Sequence, residues 1–261
     1  MITSPQNLKL KLVRSLMGRP KERREARAFV AEGVRLAEEA LEAGWPFRFV
    51  IVGETLSKRG QELGHKLATS GIEVEQVSDI VLQSISETET SQGILAVLDT
   101  FQPPVPKLLD FILIADQIRD PGNLGTLLRT AAAAGVQAVL LPPETTDAFA
   151  PKVVRAGMGA HFRLPVLALP WDEIRGLTAG LQIYLAEMEG ALACWEADFK
   201  VPLALIIGGE AEGASAAART LAGKQVSIPM AGHTESLNAG TAGGILLFEV
   251  IRQRRNLRKR I

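Results

Sequence analysis

The sequence predicts an α/β protein built as two domains. Three observations carry this: a proline-rich break at residues 99–107, strand and helix patterns alternating before it, and continuous apolar runs alternating with helices after it. The break, Asp-Thr-Phe-Gln-Pro-Pro-Val-Pro-Lys, holds three prolines, which fix φ, remove backbone donors and favour an extended connector. The expected domains are therefore 1–100 and 108–261, with 101–107 as the linker.

Before the break the order reads helix, helix, strand, helix, strand, helix, strand. In the second helix Phe29, Val30, Val34, Leu36, Ala37, Ala40 and Leu41 make an apolar stripe broken by charges and ended by Gly44. Runs 49–52, 73–77 and 93–98 are short and β-rich, so this part reads as a small α/β layer structure. After the break, 111–115, 138–141, 183–186, 203–207 and 226–228 are continuous apolar runs, the pattern of parallel strands covered on both faces. Helical segments fall between and after them at 124–134, 149–157, 214–221 and 240–254.

Of the 261 residues, 47% are hydrophobic and 22% charged, the profile of an ordinary globular chain. No apolar run approaches the ~20 residues that a membrane-spanning helix needs. The first residues lack the uninterrupted apolar stretch of a signal peptide. One cysteine, Cys194, excludes an intrachain disulfide and a cysteine-based metal site, and His65, His161 and His233 have no ligand spacing. A metal-free cytoplasmic protein is the expectation.

The formal net charge is zero but unevenly spread. Residues 1–30 carry eight Lys/Arg against Glu22 and Glu25, while residues 61–100 carry seven acids against Lys66. Arg252, Arg254, Arg255, Arg258, Lys259 and Arg260 collect near the C-terminus. Two basic patches on a neutral chain suit a polyanion bound by part of the surface. On charge alone, a solvated amphipathic helix at each end is the simpler reading.

Three loops of the second domain, each following a strand, carry the unusual residues, and the carboxyl ends of strands are where open α/β sheets bind ligands. The first is 116–129, DQIRDPGNLGTLLR. Pro121-Gly122 turns the chain, Asn123 stands where an N-cap belongs, and Leu124, Leu127, Leu128 and Ala131 make a helical face. Gly125 and Arg129 share another face, where a guanidinium beside a glycine notch can hold a phosphate or ribose; on spacing alone an ordinary capped helix with a surface arginine is slightly favoured. The second is 206–215, IIGGEAEGAS, whose paired glycines let a ligand approach the backbone beside Glu210. It is neither a P-loop nor the dinucleotide fingerprint. The third, 228–244, leaves a strand with the apolar lip Ile228-Pro229-Met230 and enters a Gly/Ala-rich helix through Ser236-Leu237-Asn238. Spacing alone reaches a ligand site in an α/β domain and stops there.

At these residues the sequence resembles the SpoU (TrmH-type) family of RNA 2′-O-ribose methyltransferases. The three motifs run through Asn123-Leu-Gly-Thr-Leu-Leu-Arg129, Gly208-Gly-Glu210-Ala-Glu-Gly213, and Ile228-Pro-Met230 with Ser236-Leu-Asn238, in order over about residues 109–255. The first domain resembles the family's L30e-like substrate-binding module through its basic stretch 14–27, Phe29-Val-Ala-Glu-Gly33-Val-Arg-Leu36 and Ser86-Glu-Thr-Glu-Thr-Ser-Gln-Gly93. That two-domain form is similar to ribosomal RNA methyltransferases.

The resemblance implies an α/β-knot (trefoil) domain with a parallel sheet, a homodimer, and bent S-adenosylmethionine held by Gly208, Ile228, Met230 and Leu237. It implies active-site positions at Asn123, Arg129, Glu210, Ser236 and Asn238, and RNA gripped through Lys9, Arg14, Arg24 and Arg27. Two positions depart from the family pattern: Gly209 replaces a frequent asparagine, and Ala239-Gly240 stands where Val-Ser is usual. In the expected mechanism Arg129 grips the target phosphate and stabilises the developing oxyanion, since a guanidinium is too basic to accept a proton. Ser236 relays the proton, while Asn123 and Asn238 fix the loops. The expected partner is RNA, ribosomal by analogy with the N-terminal module, with no DNA and no membrane. A transfer-RNA target, a catalytically silent RNA-binding protein and a dehydrogenase are the alternatives, the last disfavoured by the missing fingerprint.

Overall fold

In the computed structural model the chain forms two compact units, residues 1–102 with 149–162, and residues 103–148 with 163–261. The structure describes residues 6–88, 91–210, 213–232 and 236–258, without the side chains of 256–258. His233, Ala211 and Glu212 of the second motif, Glu89, Thr90, Lys259, Arg260 and the Arg258 side chain lie outside the described residues.

In the first unit, helices α1 (Leu8–Gly18) and α2 (Pro20–Ala26) precede strand β1 (Ala28–Glu32) and helix α3 (Val34–Glu42). Strand β2 (Phe47–Val52), helix α4 (Lys58–Thr69), β3 (Val74–Gln76), α5 (Asp79–Gln83) and β4 (Ile94–Asp99) complete the N-terminal run. The sheet order is β1-β4-β2-β3, antiparallel except for β2–β3.

The single helix expected from Phe29 to Leu41 is therefore a strand and a helix. All five residues of β1 are buried, so it shows no polar/apolar alternation, and its apolar residues merge with those of α3. Gly33 at φ 112° makes the break, in a conformation that L side chains rarely adopt. The turn is pinned by Gln92, whose Oε1 accepts from Val34 N at 3.0 Å, while the buried Glu32 accepts from Ser86 and from Thr88 Oγ1 (2.6 Å).

Helix α7 (Pro151–Gly157) and the 3₁₀ turn Ala160–Phe162 belong to this unit, although the sequence pattern places 149–157 among the second domain's helices. Val154 and Phe162 enter the same core as Phe29, Trp45 and Leu98, and Phe149 stacks on Phe29 with ring centroids 4.9 Å apart.

The second unit contains β5 (Phe111–Asp116), α6 (Pro121–Ala133), β6 (Ala138–Leu141), β7 (Val166–Ala168), α8 (Trp171–Leu177) and β8 (Gln182–Ala186). It continues through β9 (Leu192–Ala193), β10 (Leu203–Gly208), α9 (Ala216–Leu221), β11 (Lys224–Ser227) and α10 (Ala239–Arg258). The sheet order is β7-β6-β5-β10-β8-β11-β9, parallel throughout. Parallel strands need both faces covered. One face buries Ile112, Ile114, Ala204 and Ile206 against Ile174 of α8 and Ala218 of α9. On the other, α6 and α10 pack on β5, β10 and each other, burying Leu124, Leu127, Leu128, Leu246 and Leu247. Glycines set that approach: a Cβ at Gly243 would meet Leu127 Cδ2 at 2.2 Å, and one at Gly240 would meet Thr126 Cγ2 at 3.1 Å.

Candidate functional site

Central strands β5 and β10 end side by side, with Asp116 opposite Gly208. After β5 the chain turns into α6, whose N-cap is Asp120 rather than Asn123. Asp120 Oδ1 accepts from Asn123 N at 2.8 Å and Pro121 occupies the first turn, where its missing N–H costs nothing. Asn123 thus sits inside the first turn with its side chain available for a tertiary role.

That role is a junction of all three motif loops. Asn123 Nδ2 donates to Glu210 Oε1 at 2.7 Å, and Asn238 Nδ2 reaches both Asn123 Oδ1 and Glu210 Oε1 at 2.7 Å. Ala239 N, the first amide of α10, also donates to Glu210 Oε1, at 3.1 Å. One carboxylate oxygen therefore accepts three N–H groups at a helix N-terminus, where the macrodipole favours an anion. Asn238 caps α10, its Oδ1 accepting from Thr241 N at 3.2 Å.

Beside the junction opens a cavity of about 430 Å³, in the size range of cofactor sites. Gly208, Ile228, Met230 and Leu237, the four positions expected to hold the cofactor, all line it, as do Glu210 and Ser236. The backbone passes close there: a Cβ at Gly208 would stand 2.7 Å from Ala214 N, and one at Gly190 would stand 2.5 Å from the Val226 carbonyl carbon. The lining joins an apolar wall (Ile207, Val226, Leu246) to carboxylates (Glu187, Glu189, Glu210). That combination fits an adenosyl group with a cationic sulfonium and ammonium.

Asp116 is fully buried beneath this region. Its Oδ2 accepts from Ser215 N at 2.7 Å while Oδ1 has no partner. Burial raises its pKa above the ordinary carboxylate value, against the lowering effect of Ser215.

Arg129 is exposed on α6 and takes no part in the junction or the cavity lining. Of the expected RNA-binding residues, Arg24 and Arg27 are exposed, and Arg14 donates to Ser84 Oγ at 3.3 Å. Lys9 is already occupied: its Nζ lies 2.6 Å from both Glu73 Oε1 and Glu75 Oε1 and 5.4 Å from the Phe49 ring centre. Burial alone would lower its pKa, but the two glutamates outweigh this and raise it. Lys9 is thus ion-paired within its own unit.

Sequence reasoning missed Glu187, Met188 and Glu189, which follow β8 and line the cavity. The carboxyl-end rule that selected the other three loops applies equally to β8. Arg219 Nη1 lies 2.6 Å from Glu187 Oε1, and its Nε donates to Ala214 O at 3.3 Å, so one guanidinium ties two walls of the cavity. Also missed were Gln117 and Glu144, non-glycine residues in the left-handed region at φ 53° and 69°. Among the described residues no group of three or more metal-ligating side chains occurs, and no helix is long and apolar enough to cross a membrane.

Residues 110–248 match the model of the SpoU rRNA methylase family, and residues 7–96 match an MRM3-like substrate-binding domain. The chain belongs to the SpoU rRNA methylase family. A 23S rRNA (guanosine(2553)-2′-O)-methyltransferase of Bacillus subtilis, RlmP, is 36% identical over 95% of this chain and 98% of its own length. A 23S rRNA (uridine(2479)-2′-O)-methyltransferase of Streptomyces viridochromogenes is 33% identical over 97% of this chain and 92% of its own. The crystal structure of the SpoU methyltransferase AviRb from that organism, in complex with AdoMet, superposes with a TM-score of 0.84 at 31% identity, covering 96% of this chain and 99% of that one. This SpoU chain is an S-adenosylmethionine-dependent RNA methyltransferase, with the α/β-knot fold class in its second unit and a substrate-binding module in its first.

Proposed function

We propose that the protein methylates a ribose 2′-hydroxyl of ribosomal RNA, using the residues assembled around Glu210. The observation that carries the reading is the junction of Asn123, Glu210 and Asn238 at the edge of a cavity lined by Gly208, Ile228, Met230 and Leu237. When bound there, S-adenosylmethionine supplies an electrophilic methyl group on a sulfonium. The chain supplies orientation and electrostatics. Ile228, Met230 and Leu237 would hold the adenosyl part, and Glu187, Glu189 and Glu210 would offset the cofactor's positive charge. Glu210, Asn123 and Asn238 hold the loops in register. Ser236, on the cavity wall, relays the proton leaving the 2′-hydroxyl, its hydroxyl accepting that proton while passing its own to solvent, and Arg129 grips the phosphate of the target nucleotide and stabilises negative charge on the attacking oxygen.

The similar enzymes named above modify a guanosine and a uridine in 23S rRNA, which supports ribosomal over transfer RNA. The exposed Arg24 and Arg27, together with Arg14, carry the RNA backbone. The active form is a homodimer, supported by Ile245 (41% exposed) and Phe248 (52% exposed) side by side on α10. Its place of work is the cytoplasm, where an enzyme with one buried thiol meets its RNA.

The test is transfer of labelled methyl from S-adenosylmethionine to total ribosomal and transfer RNA, followed by nucleoside analysis. A 2′-O-methylated nucleoside from ribosomal RNA that disappears with Arg129→Ala, cofactor affinity being unchanged, is the expected result. Label on transfer RNA alone would replace the substrate, and no label on any RNA would overturn the reading.

A further inference from the structure

A second cavity, of about 230 Å³, adjoins the first. Gly209, Glu210, Gly213 and Ala239 line both, and Gln117, Arg119 and Asn123 close the far side of the smaller one. Resting on the methyltransferase reading, we propose that this smaller cavity receives the target nucleoside, unpaired, and that Gln117 and Arg119 read its base.

The argument starts from reach. Transfer between two bound molecules needs the reacting atoms about 3–3.5 Å apart, so the acceptor's site must share a wall with the cofactor's. These two cavities share the wall that contains Glu210. Size comes next. A cavity of this volume suits one nucleoside and excludes a duplex, and RNA is read at single-stranded positions whose bases are free to leave the stack.

The polar groups then fit a base edge. Gln117 Nε2 and Arg119 Nη2 both donate to Glu144 Oε2 at 3.2 Å, so a single carboxylate holds the amide and the guanidinium together. A side-chain amide held through its nitrogen still offers its oxygen as an acceptor, and a guanidinium carries five N–H groups, more than one carboxylate oxygen takes up. One acceptor beside fixed donors is what discriminates among base edges. The motif residues have less to offer, because the Asn123 and Asn238 amides and Glu210 Oε1 are already bonded to one another.

The backbone is shaped for the same purpose. Gln117 and Glu144 are two of the four non-glycine residues with positive φ among the described residues, and their side chains are bonded to each other. Such conformations persist where surrounding structure enforces them, often at binding sites. Gln117 N and Ala115 O share Thr145 Oγ1, at 3.1 and 3.0 Å, which holds the turn. The departure at Gly209 follows from it, since a Cβ there would stand 2.4 Å from Gln117 O. The asparagine frequent in the family would require this carbonyl to move, so in this chain the cavity wall is built around Gln117.

The experiment uses the full-length protein, labelled S-adenosylmethionine and unmodified ribosomal RNA transcribed from the host's own genes. The same RNA is also made with the modified position changed to each other base. Gln117→Gly removes the side chain at a backbone position that glycine adopts freely, and Arg119→Met removes the donors. Both should lower kcat/KM at least tenfold with cofactor affinity within twofold of wild type. Gln117→Gly should in addition narrow the wild-type preference among the four bases tenfold or more, without lowering the melting temperature. Wild-type transfer with both variants equally active and equally selective overturns the subsite alone. A loss in Gln117→Gly that is equal for all four bases overturns the reading role. No transfer by the wild type overturns the proposed function, and the subsite with it.

Discussion

Adding one methyl group at Gly208 tests the assignment of the cofactor cavity. The new Cβ would stand 2.7 Å from Ala214 N, 2.8 Å from the Gly213 carbonyl carbon and 3.0 Å from Ala214 Cα. All three are backbone atoms, so no side chain can swing aside. Comfortable carbon contacts lie at about 3.5–4.0 Å, and the wall must therefore open by roughly 0.5–1 Å. Overpacking of this kind costs about 1–3 kcal/mol. Carried by the cofactor-bound state, that weakens S-adenosylmethionine about 5- to 150-fold, at roughly 1.4 kcal/mol per tenfold change. Carried by the free protein, it lowers the melting temperature by about 2–4 °C per kcal/mol. Isothermal titration of Gly208→Ala with S-adenosylmethionine, beside a thermal melt, separates the two. Gly64→Ala is the control: it lies within α4 with nothing within 4 Å of an added Cβ, and should stabilise by about 0.5–1 kcal/mol without touching cofactor binding. If Gly208→Ala binds and melts like wild type, the close approach of Gly208 to Ala214 does not shape the cofactor site and the reasoning fails.

Basic residues of the first unit should divide by what they touch. Arg24→Glu with Arg27→Glu should weaken RNA binding and flatten its salt dependence by about one unit of slope for each phosphate no longer neutralised, whereas Lys9→Gln should leave RNA affinity unchanged and cost on the order of 1 kcal/mol of stability. Filter binding across a salt series decides; a Lys9→Gln variant that binds RNA more weakly while melting normally would reverse the assignment. Asp116 supplies a pH test. Its pKa is raised by burial, so the folded state favours the protonated carboxyl, and the stability this confers is present below the unfolded value of about 3.9 and lost as pH climbs through the folded value. Asp116→Asn should therefore gain on wild type in melting temperature from about pH 4 upward. A wild-type advantage that grows with pH over the same range would contradict the burial argument.

Legibility in the sequence followed the range of the interactions involved. The strands of the second sheet could be read because parallel strands buried on both faces leave continuous apolar runs, and four of the five expected runs differ by a residue or two from β5, β8, β10 and β11. The fifth, 138–141, coincides with β6. Edge strands β7 and β9 escape because three and two residues carry no periodic signal. Strand β1 hides inside a helical pattern because both its faces are buried, and only Gly33 marks the boundary. The α6 cap lies three residues before the expected Asn123, and Asp120-Pro121 announces it, the aspartate accepting from the first turn and the proline opening it. No local pattern could reveal that Phe149, Val154 and Phe162 join the core of Phe29 and Trp45, because that partnership is decided by burial between distant segments.

The candidate site shows the same limit more sharply. Each motif loop is recognisable as the exit of a strand, yet the wiring among them spans 87 residues between Asn123 and Glu210 and 115 between Asn123 and Asn238. Pairings of that separation are closed late, after loop entropy has been overcome by packing, so the site is a product of the finished sheet rather than of any segment. Glu210 also explains why three loops with weak individual signals act as one. A single oxygen that accepts from Asn123, Asn238 and the first amide of α10 fixes the exits of β5 and β10 and the entry of α10 relative to one another. An isolated motif would leave its donors to water, while the set of three leaves each with a partner. The coherence of the combined pattern is thus physical: Asn123, Glu210 and Asn238 hydrogen-bond to one another across the three loops.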